Sequence, residues 1–157
     1  MEAFLKNTLK WLAVSNMVAL LLIVCWQVLS RYAVGDPSTI SEELARILLM
    51  WLGMLGAAYT AGIKGHMAID LISAKAPGYF QTFLRRLIIV LTALFAVIFF
   101  MGGVRMILIV TCLEQTTPVM GIPVGIVYIA APLSAAFILC FALFEYWREF
   151  ASEGEAR

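Results

Sequence analysis

The chain has 157 residues, of which 63% are hydrophobic and 13% charged, and its formal net charge is +1 at neutral pH. An ordinary soluble domain is roughly half apolar and about a quarter charged, so this composition needs lipid to cover its excess apolar surface. A nearly neutral chain offers no basic field for nucleic acid and no acidic field for cationic partners, which excludes both as the basis of function.

Most of the charges fall between four long apolar stretches, each close to or above the roughly 20 residues that cross a bilayer core as a helix. Lys6 and Lys10 precede the first stretch, and Ala33, Val34 and Gly35 supply the small residues of a cleavage site, the outline of a signal peptide. The run from Trp11 to Leu29 is longer than the roughly 7 to 15 residues of such a segment, and Arg31 and Tyr32 intervene. The stretch therefore reads as a retained helix over 11–32, with Trp11 and Tyr32 at the two membrane interfaces. Gly35, Asp36, Pro37 and Ser38 break it.

Thr39 and Glu42 stand in capping-box spacing, and Glu42 with Glu43 places negative charge on the positive end of a second helix, expected over 40–63. Gly62, Gly65 and Pro77 punctuate the following segment, so 64–83 is expected to be a cytoplasmic connection. Within it Tyr79, Phe80, Phe83 and Leu84 recur at near-helical spacing, either as an interfacial turn or as a plain extension of the third helix. That helix is expected over 84–111, and the segment with Glu114, Thr117, Pro118 and Gly121 ends it. Pro123 suits the first turn of a fourth helix over 123–146. Inside that helix Pro132 removes one backbone hydrogen bond and opposes the carbonyl of Tyr128, so a kink is expected there.

The expected fold is all-α: a single membrane domain of four transmembrane helices over the whole chain. Lys6, Lys10, Lys64, Lys75, Arg85, Arg86, Arg148 and Arg157 gather on one side, against Arg31, Arg46 and Arg105 toward the other. By the positive-inside rule both termini are expected in the cytoplasm.

Chemistry-bearing residues are sparse. Proton-coupled pumps hold an ionisable group at mid-membrane, and the first, second and fourth stretches carry none near their centres; Arg105 lies near enough to a helix end to snorkel or to pair. His66 is the single histidine, which excludes bis-histidine haem ligation and multi-histidine metal sites within this chain. With Asp70 at i, i+4 it reads as a local structural motif, anchoring its segment. Cys25, Cys112 and Cys140 show no CxxC spacing and read as buried soft side chains. No catalytic residue, cofactor or metal is therefore expected. Glu42 and Arg46 have the favourable i, i+4 order for an ion pair, with Arg31 and Glu43 close by: either a solvated cap or a docking surface. Gly53, Gly56, Ala57 and Thr60 share one helix face that admits a close neighbour, within the bundle or from another subunit.

Three segments occur in order: Arg31-Tyr32 followed by Ser41-Glu42-Glu43-Leu44-Ala45-Arg46 and Trp51-Leu52-Gly53; Gly65-His66-Met67-Ala68-Ile69-Asp70; and Gly121-Ile122-Pro123 with Tyr128 and Pro132. Together they resemble the DctQ-like small membrane subunit of tripartite ATP-independent periplasmic (TRAP) transporters. Ile40 stands where that family often has Trp. The resemblance implies a bacterial inner-membrane protein that pairs with a large multispanning permease subunit. In that arrangement a periplasmic binding protein delivers an organic anion such as sialic acid or a dicarboxylate, and sodium drives its uptake. A four-helix accessory would brace the large subunit's fixed frame. The competing classes are a stand-alone four-helix exporter and the membrane anchor of a redox complex.

Overall fold

The computed structural model describes the backbone of residues 2–35, 38–73 and 78–155, and the side chains of residues 3–33, 35, 38–63, 80 and 83–147. Helix α1 (Glu2–Leu29) runs into a π-helical turn, Ser30–Val34. Helices α2 (Thr39–Ser73) and α3 (Gly78–Cys112) follow. The short α4 (Val124–Tyr128) and the long α5 (Ala130–Glu155) complete the chain. Four spans, Ala3–Ala33, Thr39–Ile63, Phe83–Cys112 and Val124–Trp147, are long and apolar enough to cross a membrane. This is the all-α, multi-pass architecture that the hydropathy pattern implies.

Helix ends differ from expectation. Helix α1 starts at Glu2, α2 continues through Ser73, α3 begins at Gly78, and α5 extends to Glu155. The segment expected as a connection over 64–83 is thus helical on both sides of residues 74–77. Gly62 and Gly65 do not stop a helix, because a glycine in its interior costs only about 1 kcal/mol, which the surrounding good formers outweigh. His66 and Asp70 fall within the extended α2, with side chains outside the described residues.

The Pro132 break is visible in the backbone. Tyr128 ends α4 and α5 begins at Ala130, with Ile129 between them. The Ile129 amide turns back to the Ile126 carbonyl at 3.3 Å, and the ladder resumes where Leu133 donates to Ile129 at 3.1 Å. A proline at position 132 has no amide to offer the Tyr128 carbonyl, so the helix divides one turn before it.

The helices pack in the order α3, α5, α2, α1, with α1 and α3 at the two ends and no substantial contact between them. The core holds Leu9, Leu55, Ala58, Ala96, Ile138 and Phe141. Small residues dominate its close approaches. A Cβ built on Gly103 would lie 2.9 Å from Cδ of Pro132 and 3.3 Å from Cβ of Ala131, so α3 and α5 meet backbone to ring. Likewise Gly62 leaves room for Phe141, 2.8 Å from where its Cβ would stand, and Gly125 for the Thr111 hydroxyl. Helix α1 is peripheral: none of its apolar window is buried within the chain. Cys25, Cys112 and Cys140 are free and exposed rather than buried as expected, because an apolar exterior accommodates a soft thiol as readily as a core does.

The two neighbouring glycines of α3 separate packing from propensity. Gly103→Leu should lower the midpoint of thermal unfolding in detergent, by overpacking worth about 1–3 kcal/mol. Gly102→Leu, whose Cβ meets nothing within 4 Å, should leave the midpoint unchanged or raise it. Equal losses in both variants would contradict this packing.

Candidate functional site

The sequence places its charged cluster at the start of α2, and the structure divides that cluster in two. Ser38 precedes the helix; the Ser41 hydroxyl donates to the Ser38 carbonyl at 2.8 Å, and the Glu42 amide reaches the same carbonyl at 3.3 Å. The expected Thr39–Glu42 capping box does not form among the described residues. The Glu42 carboxylate instead accepts from Nη2 of Arg46 at 3.2 Å, one turn along, and both side chains are about two-thirds or more exposed (67% and 75%). Such a pair contributes under about 1 kcal/mol to folding. Arg31 sits on the π-helical turn, which closes at Gly35 in the left-handed region (φ 75°). Arg31, Tyr32, Gln27, Ser38 and Glu42 face one open groove of about 440 Å³, and no ion pair joins Arg31 to Glu42. This polar groove is a surface, not a cap sealed into the fold.

Glu43 points the other way. Its Oε2 accepts from the backbone amides of Val119 and Met120 at 2.9 and 3.1 Å, a contact across 76 and 77 residues. The residue is only 9% exposed, and Oε1 is buried with no partner among the described residues. The loop it grips is built to offer those amides. Glu114 takes a left-handed conformation (φ 48°) as α3 ends, and the Gln115 amide returns to the Val110 carbonyl at 3.2 Å. Thr116 pairs with Pro123, and the Val124 amide reaches the Gln115 carbonyl at 2.9 Å. At the tip Gly121 (φ 67°) lets the chain reverse, while Thr117 bonds Ile122 through both backbone and hydroxyl, at 2.9 and 3.1 Å. Val119 and Met120 are left with amides directed at the carboxylate. Sequence spacing could not reveal this, because nothing local to Glu43 signals a partner so far along the chain.

The small-residue face of α2 looks away from the other helices. A Cβ on Gly53 or Gly56 would meet nothing within 4 Å. Ala57 and Thr60 continue the face, and the Thr60 hydroxyl folds back onto the Gly56 carbonyl, so it presents little polar surface. The close helix contacts lie instead at Gly62, Gly103 and Gly125. Pro123 holds the N-cap of α4 (φ −55°, ψ 121°), Tyr128 is its last residue, and Pro132 rests on Gly103.

An apolar groove of about 460 Å³ runs between α1, α2, α4 and α5, lined by Leu12, Asn16, Trp51, Ile126 and Leu133 among others. It holds no titratable group, and Asn16 Oδ1 is buried beside it without a partner among the described residues. Among the described residues no three His, Cys, Asp or Glu side chains gather as metal ligands. The geometry can support packing, docking and lipid contact.

Residues 20–152 match the family described as tripartite ATP-independent periplasmic transporters, DctQ component. The chain belongs to that family. It is a small permease subunit of a TRAP transporter, a family of transporter components rather than enzymes. The chain is 35% identical over 77 residues to the sialic acid TRAP transporter small permease protein SiaQ of Vibrio cholerae, covering 49% of this chain and 44% of that one. A putative TRAP transporter small permease protein of Haemophilus influenzae is 26% identical over 152 residues, 93% of this chain and 89% of that one. The sialic acid TRAP transporter permease protein SiaT of Haemophilus influenzae is 28% identical over 102 residues, which cover 65% of this chain and 17% of that longer protein.

The two halves of the cluster should respond differently to mutation. Glu43→Ala removes two charge-assisted bonds and should cost about 1–3 kcal/mol, with a cysteine at Val119 becoming faster to alkylate. Glu42→Ala should change stability by less than about 0.5 kcal/mol and leave that alkylation rate alone. Unaltered alkylation in Glu43→Ala would refute the clasp.

Proposed function

We propose that this DctQ-family chain is a non-catalytic brace for a large multispanning permease subunit, in sodium-coupled uptake of an organic anion delivered by a periplasmic binding protein. The observation that carries the reading is the outward Gly53, Gly56 and Thr60 face of α2, which is open to a helix from outside the chain. Helix association in lipid relies on such close backbone approach. The long SiaT-named relative supports the same reading, since a region like this one occupies a fraction of a larger permease chain there. Sialic acid in the relatives' names favours an organic anion as cargo. Family membership sets aside the stand-alone exporter and the redox anchor.

The Lys and Arg asymmetry orients the subunit with both termini in the cytoplasm of a bacterial inner-membrane protein. The loop end of the bundle, with Arg31, Glu42 and Arg46, then faces the periplasm as a surface for subunit contact or docking. Charged groups of this exposed kind set register and association rate more than folding.

Reconstitution separates this role from autonomous transport. In proteoliposomes with a sodium gradient, binding protein and candidate anion, the subunit alone should accumulate nothing, and the large subunit should need it for uptake. Gradient-driven accumulation by this chain alone would overturn the proposal. In sealed, correctly oriented cells a cysteine at Gln115 should react with an impermeant reagent and one at Lys75 should not; the reverse pattern would invert the orientation.

A further inference from the structure

Helix α3 carries one charged residue between Arg86 and Glu114, and that is Arg105. It lies seven residues before the helix end at Cys112, so about 10 Å along the axis from that end. The apolar span Phe83–Cys112 has 30 residues, about 45 Å of helix against a hydrocarbon core of about 30 Å. A span centred on that core puts the Arg105 backbone just inside the hydrocarbon boundary, where a long side chain reaches the headgroups.

Arg105 is exposed, and among the described residues its guanidinium has no hydrogen-bond or ion-pair partner. The opposite face of α3, with Gly103 and Val110, is buried against the rest of the chain. A cation at this depth is stabilised by an anion within its reach. The surroundings decide which kind. Met101, Leu108 and Ile109 beside it are 62%, 63% and 52% exposed, and Phe95 and Ile98 continue a bulky apolar face below. Helix partners in lipid favour small residues, as on α2, whereas long flexible side chains suit acyl tails. Gly102, with open space at its Cβ position, leaves a notch one turn beneath the guanidinium.

We propose that Arg105 forms a phospholipid site: its guanidinium grips the phosphate of a lipid in the leaflet at the C-terminal end of α3, with an acyl chain lying along the Gly102 notch. Guanidinium and phosphate match as a two-pronged pair, and the contact seats α3, an edge helix of the row, at a fixed depth.

The test is native mass spectrometry of the delipidated full-length chain titrated with phosphatidylglycerol or with phosphate-free diacylglycerol of the same tails. Wild type should bind phosphatidylglycerol about tenfold more tightly than diacylglycerol. Arg105→Gln should lose that preference, and Arg105→Lys should keep part of it. Because the lipid comparison is made on the wild type, it stands even where a variant fails to fold. Equal binding of the two lipids by wild type would overturn the site. So would an Arg105→Gln variant that keeps the preference but no longer copurifies with the large permease subunit, which would assign Arg105 to a partner carboxylate instead.

Discussion

Lipid tails cover an apolar side chain as well as a neighbouring helix does, so helices in a bilayer hold together where their backbones come close. In this chain that constraint acts on α5. Its Pro132 ring rests on Gly103 of α3, and nine residues later its Phe141 ring fills the space beside Gly62 of α2. Helix α5 therefore stands between α3 and α2, and α1 attaches mainly to α2, with Leu9 joining Leu55 and Ala58 in the buried core. The open row of helices follows from these contacts. So does the outward set of the small-residue face of α2, which none of the described helices covers.

The same proline that gives α5 its contact also removes a hydrogen bond, and within a membrane every backbone group needs a partner. The fold limits the damage by dividing α4 from α5 at Ile129, where a tighter turn takes up the Ile129 amide. Close by, the loop after α3 pairs several of its own amides internally, and Glu43 takes two more at its tip. One carboxylate thereby ties the start of α2 to the loop between α3 and α4. The neighbouring Glu42 and Arg46 stay exposed and free to meet another molecule.

The four spans, the absence of a catalytic pattern and the Pro132 break were legible because each depends on local sequence: hydropathy over about 20 residues, residue types, and one missing amide. Helix ends were less so, since Gly62 and Gly65 look like breaks until the strength of the surrounding helix is weighed. The site was legible in part. Glu42 with Arg46 follows from i, i+4 spacing, but Glu43 was grouped with them because its partners lie 76 and 77 residues away and are backbone amides, which carry no residue signature. Gly53 and Gly56 were recognisable as a packing face, yet only the arrangement of α5 and α1 around α2 determines that the face looks outward. Gly103, which seats Pro132, lacked such a pattern in the sequence.

The proposed brace requires that a residue on the α2 face matter to assembly and not to the subunit's own fold. Copurification of the large permease subunit with a Gly56→Leu variant measures this most directly, provided the variant's own thermal midpoint is recorded beside it. The variant should melt like wild type and bring down less than about a tenth of the partner, as a lost close-packed helix contact would give. Undiminished copurification with a wild-type midpoint would contradict the brace.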